Sequence, residues 1–218
     1  MNTIRIFLSF LITIPLLYAC TNEKTEVNHY ANGNISSEIH YKNDILDGES
    51  KYYYDNGNLQ SVFIYKNALL DGRSTTWYLN ENMESESYYK LGMLEGTKKK
   101  FNENSSPSYI ETYHHDTLNG EYIFYHQNGK IRIKGYYKMG LFDSTWIYLD
   151  RFGVMVGQAE FNMGSGQQIA YYPNGNKKLV VPYKNNQIHG MKIFYNPDGS
   201  QIKVQKYENG RFIEESLK

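Results

Sequence analysis

The residues of this 218-residue chain best suited to chemistry are six histidines, one cysteine and a recurring set of carboxylates. The histidines are His29, His40, His114, His115, His126 and His189. None lies at a spacing that builds a metal motif. His114-His115-Asp116 is the densest group. Successive residues on a strand point to opposite faces, so these two imidazoles are not expected to share an ion. The group also falls where other parts of the chain have Lys-Asn, at the start of a turn. Asp47, Asp71 and Glu95 each precede a glycine, which reads as a turn signature rather than a cation column. Ser105, Ser144, Ser165 and Ser200 sit in turn positions with no adjacent base. Gly164-Ser165-Gly166 lacks the lysine of a phosphate loop. The expectation is a protein that is not an enzyme and uses no metal or cofactor.

The elements that must carry these residues repeat. Asn32-Gly33 recurs as Asn56-Gly57, Asn128-Gly129, Asn174-Gly175 and, degraded, Asp198-Gly199. An aromatic residue follows eight positions later, at Tyr41, Tyr65, Tyr89, Tyr113, Tyr137, Phe161, Tyr183 and Tyr207. A second glycine column runs through Gly48, Gly72, Gly96, Gly120 and Gly190. The period is 24 residues over eight units, with unit six two residues short. Glu81 and Ser105 replace the first glycine in units three and four, and Ser144 replaces the second in unit five.

Each unit reads as two strands and two turns. Leu59, Ser61, Phe63 and Tyr65 alternate with Gln60, Val62 and Ile64, the period of a strand. Asp55-Asn56-Gly57-Asn58 is a tight-turn signal, and the run from Tyr65 to Gly72 is expected to be a longer turn closed by Asp-Gly. The structural turn glycines are therefore Gly33, Gly48, Gly57, Gly72, Gly96, Gly120, Gly129, Gly175 and Gly190. The column Tyr53, Trp77, Phe101, Tyr125, Leu149, Tyr171 and Tyr195, aromatic but for Leu149, is expected to stack its rings between neighbouring strands. Tyr54, Tyr78 and Tyr172 are the candidates for an exposed aromatic binding face. Pro182, inside a strand, predicts a bulge or local break.

Residues 1–19 read as a secretory signal: Arg5 precedes an apolar run from Ile6 to Leu17 that is too short to span a bilayer. Leu17-Tyr18-Ala19-Cys20 resembles the bacterial lipobox, with Tyr18 departing from the small residue usual there. That resemblance implies lipidation at Cys20 and a membrane anchor. Residues 20–28 read as the acylated cysteine and a polar tether, and 29–218 as the repeat domain. Thr21 is not the aspartate of inner-membrane retention, so the outer membrane is favoured over the inner within the cell envelope.

Lys and Arg total 23 against 23 Asp and Glu, a balance that argues against a nucleic-acid partner. With 22 Tyr, 40% hydrophobic residues and a single Cys, the chain is neither disordered nor a disulfide framework. Units such as Tyr172-Pro173-Asn174-Gly175-Asn176-Lys177-Lys178-Leu179, continued by Tyr183-Lys184-Asn185-Asn186-Gln187-Ile188-His189-Gly190, resemble the MORN-repeat variant family. The resemblance implies an all-β protein: an elongated, single-layer antiparallel β-meander of about eight 24-residue hairpins. It implies structural motif residues and little chemistry. The function expected is a non-enzymatic binding or scaffolding platform for a protein or glycan partner. The alternative is an antitoxin-like neutraliser of a neighbouring toxin.

Overall fold

The computed structural model describes residues 22–218. The signal and Cys20 lie outside the described residues. Among the described residues every regular element is a strand, and all join one antiparallel sheet in which each strand pairs with its sequence neighbours. Twenty strand segments form seventeen rails, because three rails are interrupted: Leu69–Leu70 with Gly72–Trp77, Met93–Leu94 with Gly96–Phe101, and Gln187–Ile188 with Gly190–Tyr195. The meander expected from the repeat is the fold observed.

The sheet starts earlier than the repeat count implies. Glu23–His29 is its first strand, paired in register with Ile35–Lys42 from Glu23↔Lys42 to Asn28↔Ser37. The segment expected as a tether is therefore part of the sheet from Glu23 onward. Its polar composition suits an edge strand with most residues in water.

The two turns of each unit differ from one another. At one edge, Gly57 N–H donates to the Tyr54 carbonyl (2.9 Å) and Tyr54 N–H to Asn58 (2.8 Å), closing a short loop with Gly57 at φ +91°. Glu81 (φ 67°) and Ser105 (φ 63°) adopt the same left-handed backbone where glycine is missing. At the other edge the turn is shorter than expected. Asn67 and Ala68 both have positive φ (50° and 64°), the signature of a two-residue type I′ hairpin. Gly48, Gly72, Gly96, Gly120 and Gly190 therefore do not close this turn; they lie within strands, at positive φ. Only Gly33, Gly57, Gly129 and Gly175 of the nine are turn glycines.

The in-strand glycines mark a periodic β-bulge. The register slips between Ile39 and Tyr41, Glu111 and Tyr113, and Lys134 and Tyr136; Gly48 and Gly120 lie opposite the first two slips, and Ser144, at φ 59°, opposite the third. The bulge expected at Pro182 is there, but the proline does not cause it. Ile64 and Tyr88 hold the same place, and the carbonyls of Ile64, Tyr88 and Pro182 each accept one N–H, from Asp71, Glu95 and His189 (2.8–3.0 Å). Pro182 is tolerated because a bulge already interrupts the ladder on that side. In the short unit the bulge is gone: Met155–Asn162 and Ser165–Tyr171 pair without any slip from Gly157↔Ala170 to Asn162↔Ser165.

With one sheet and no second layer, the core is built by side chains lying over their own strands. Trp146, Ala159 and Phe161 are buried on one face, surrounded by Tyr122, Ile133, Tyr137, Phe142, Tyr148 and Tyr183. In the amino-terminal half the buried positions are small hydroxyls: Ser37, Ser50, Ser61, Ser74 and Ser87. The aromatic column ending each second strand does not stack as expected. Its members lie on every second strand, and among the described residues no two of them are in ring contact. Tyr52–Phe63 (5.9 Å) and Tyr137–Trp146 (5.1 Å) join different columns on adjacent strands, whereas Phe161 and Tyr183, two strands apart, meet over Gly166 of the strand between them (5.5 Å).

Candidate functional site

The two rows of turns form the two long edges of the sheet, and most side chains singled out from the sequence lie along them. On the edge of the four-residue loops, the phenol of Tyr54 donates to the Trp77 carbonyl (2.8 Å), Tyr78 to Phe101 (2.8 Å) and Tyr172 to Tyr195 (2.8 Å). Tyr30 does the same toward Tyr53 (2.6 Å), and His126 Nε2 toward Leu149 (2.9 Å). The tyrosines read as an open binding face are thus half-buried ties from one unit to the next. Asparagines flanking the turn glycine run parallel to them: Asn32 and Asn34 both donate to Asp55 O, and Asn174 and Asn176 to Pro197 O (2.7–2.8 Å).

Three units lack the tie. Asn102 and Asn196 turn back to Ser106 and Ser200 in their own loops (2.9 and 3.0 Å), and Asp150 accepts the N–H groups of Phe152 and Val154. Those hydrogen bonds hold the Asp150 carboxyl below its ordinary pKa, with the Val154 N–H the leading cause.

The MORN repeat variant family model matches residues 23–43, 46–67, 70–91, 118–139 and 165–185. These five segments are MORN-variant repeats. No curated protein matches the chain. The match follows the inter-unit tie: the five MORN-variant repeats contain Tyr30, Tyr54, Tyr78, His126 and Tyr172, whereas Asn102, Asp150 and Asn196 fall outside them. The structure keeps the same loop in the unmatched stretches, where Asn102, Asp150 and Asn196 N–H groups still close the turn (2.8–2.9 Å).

On the type I′ edge, the carboxylate column has a structural task. Asp47 accepts the N–H of Asn67 (3.0 Å), Asp71 that of Leu91 (3.2 Å) and Asp143 that of Met163 (3.1 Å), each twenty residues on. Each carboxylate therefore caps the next unit's turn. The Met163 N–H, then the Ser144 hydroxyl, lowers the pKa of Asp143. No side chain of the short unit makes this cap among the described residues; there Asn186, from the next hairpin, reaches across the short unit to unit five instead. Its amide accepts the Phe142 N–H (2.8 Å) and donates to Gly140 O (2.9 Å).

The histidine pair departs from expectation. His114 ends a strand, but His115 is the first residue of the turn at φ 48°, so the alternation of a strand does not apply. The rings meet with His115 Nδ1 3.0 Å from His114 Nε2, and His114 Nδ1 lies 2.9 Å from Glu95 Oε1. Glu95, His114 and His115 thus form one polar cluster on the edge. Hydrogen bonds from His114 and from the His115 N–H lower the Glu95 pKa.

Two lysines of the Lys98-Lys99-Lys100 run are paired within the sheet. Lys99 faces Glu86 and Lys100 faces Glu84, each at 3.8 Å. The uncompensated surface lies elsewhere, on the loop edge of units five to seven. Phe152 (66% exposed), Val154 (61%) and Met155 (51%) form an apolar strip there. A cleft of about 550 Å³ adjoins it, lined by Val154, Met155, Val156, Tyr171, Tyr172 and Pro173. Arg151 lies over the Phe152 ring (4.9 Å) and Arg132 over Phe124 (5.5 Å) beside a second cleft.

Proposed function

We propose that the chain is a non-enzymatic, lipid-anchored protein of the bacterial envelope whose MORN-variant sheet is a docking platform for a protein partner. The observation that carries this is the apolar strip Phe152–Met155, exposed on the loop edge and flanked by Arg132 and Arg151. Isolated exposed apolar side chains are ordinary, but several together beside a cleft mark an interaction surface. The two guanidiniums suit a partner that presents an apolar segment with acidic neighbours. The loop that carries the strip is held from the preceding unit by His126 on Leu149 O and Asn128 on Arg151 O, and from within by Asp150 on the Phe152 and Val154 N–H groups, so little ordering is lost on binding. The anchor rests on the sequence alone, the apolar run ending in Leu17-Tyr18-Ala19-Cys20.

The test is co-purification after membrane fractionation, comparing wild type with Cys20→Ala and with Arg151→Glu/Phe152→Ser. The expected result is membrane-bound wild type with a stoichiometric protein, a soluble Cys20→Ala form, and a membrane-bound strip variant without its partner. A soluble wild type would overturn the anchor. A partner retained by the strip variant would move the docking surface elsewhere, and wild type recovered alone would favour a glycan ligand.

A further inference from the structure

We propose that His114, His115 and Glu95 form a surface site for a divalent transition-metal ion of the Cu(II) or Ni(II) type. The cluster arises from two departures from the repeat. Where units one, two, three, five and seven carry Lys42, Lys66, Lys90, Lys138 and Lys184, unit four has His114. Where Asn43, Asn67, Asn185 and Asn209 begin their turns, unit four has His115. Glu95 stands in the slot of Asp47, Asp71 and Asp143. One methylene longer, it caps the turn with Oε2, accepting the His115 N–H at 3.1 Å, and reaches His114 with Oε1 at 2.9 Å.

That second contact has a chemical consequence. A carboxylate accepting the Nδ1–H of an imidazole fixes the tautomer whose Nε2 carries the lone pair, and it raises that nitrogen's basicity as a ligand. His114 Nε2 then faces His115 Nδ1 at 3.0 Å. Two nitrogens that bind one ion at about 2.05 Å are about 2.9 Å apart at a right angle and about 3.3 Å apart in a tetrahedron. The 3.0 Å spacing is set here by the hydrogen bond and lies close to both values, so a small turn of the rings brings both nitrogens onto one ion; the order of divalent affinities for imidazole sites puts Cu(II) and Ni(II) first. Without metal, the His115 Nδ1–H donates to His114 Nε2. When the ion enters, that proton shifts to His115 Nε2, and both facing lone pairs become ligands. Both imidazoles are exposed, so water completes the coordination. Among the described residues this is the only group of three or more His, Cys, Asp or Glu close enough to hold an ion.

The test uses the full-length chain, titrated at neutral pH with copper sulfate or nickel chloride in a non-coordinating buffer. Binding is followed by calorimetry and, for copper, by electron paramagnetic resonance. One ion per chain with nitrogen hyperfine structure is expected. His114→Lys and His115→Asn, which restore the residues of the other units and so preserve the turn, should each weaken binding at least tenfold. Glu95→Gln, which keeps an acceptor for the His115 N–H, should weaken it about tenfold. His29→Ala should leave it unchanged, and all variants should keep the wild-type melting temperature without metal. Stoichiometric binding unaffected by His114→Lys and His115→Asn would overturn the assignment, as would the absence of saturable binding. A tighter, tetrahedral zinc complex at the same residues would overturn the choice of metal.

Discussion

The indole of Trp146 lies directly on Gly135, in the space a side chain would fill: a Cβ on Gly135 would overlap the fused ring atoms of the tryptophan. The indole N–H donates to Tyr136 O (3.2 Å) and Asp143 O (3.1 Å), so the ring cannot slide away without losing them. Gly135→Ala should therefore cost about 1–3 kcal/mol by overpacking. Trp146→Ala removes the centre of the aromatic cluster and should cost about 3–5 kcal/mol. In the double variant the two effects should not add, because the small side chain then occupies space the indole has left. Additive losses in urea denaturation would show that the close approach is not what constrains position 135.

The two glycine columns should respond differently to substitution. Gly57 has φ +91° with open space around its missing side chain, so Gly57→Ala carries backbone strain alone, about 1 kcal/mol. Gly120 has φ +139°, and a Cβ there would come within 2.6 Å of Thr112 Cβ. Gly120→Ala should destabilise by clearly more than Gly57→Ala, and Gly120→Ala/Thr112→Gly should recover part of the difference. Equal melting temperatures for the two single variants would contradict the bulge as the tighter site.

Asn186 joins the hairpin of unit seven to the backbone of unit five, across 44 and 46 residues. Asn186→Ala leaves a half-buried N–H and a carbonyl without partners and should cost about 2 kcal/mol. Asn67→Ala, in the corresponding turn of unit two, loses no such bridge. Hydrogen exchange should show faster opening at Phe142 in Asn186→Ala and no change there in Asn67→Ala.

Alkaline pH should open the aromatic cluster. Burial pushes Tyr137 up to about 12 and raises Tyr148 further, with burial again the leading cause. A phenol that resists ionisation in the folded state, against about 10 when unfolded, favours folding below that pH. The contribution is lost as pH climbs through the folded value. Stability should thus fall steeply above about pH 10, with phenolate absorbance and loss of sheet signal rising together. Tyr148→Phe should flatten that fall. Phenolate formation well before unfolding would mean these rings are open to water.

The repeat period, the strands and the loop glycines were legible from the sequence because each has a local cause: alternation at Leu59–Tyr65, and positive φ at Gly57. What was not legible depended on neighbours. The type I′ turn falls on Asn67-Ala68 rather than Asp71-Gly72, since strand pairing imposes a left-handed backbone on an alanine. Glu23–His29 looked like a tether because an edge strand needs no apolar alternation. Tyr54, Tyr78 and Tyr172 looked like contact residues; only the next unit's carbonyl, 23 residues away, shows what their hydroxyls do. His114 and His115 converge because a strand ends between them.

The ties along both edges span 20 to 23 residues, and each strand pairs with its neighbours in the chain. Few contacts wait on distant segments, so loop closure is a small barrier at every step. Folding of such a chain spreads from unit to unit, and fraying starts at its ends. The exception is the region where Asn186 reaches back past the short hairpin to Gly140 and Phe142, beside the cluster around Trp146. There three units must be in place together. That stretch couples units that are not neighbours, and it should be the last part to let go when the ribbon is pulled apart.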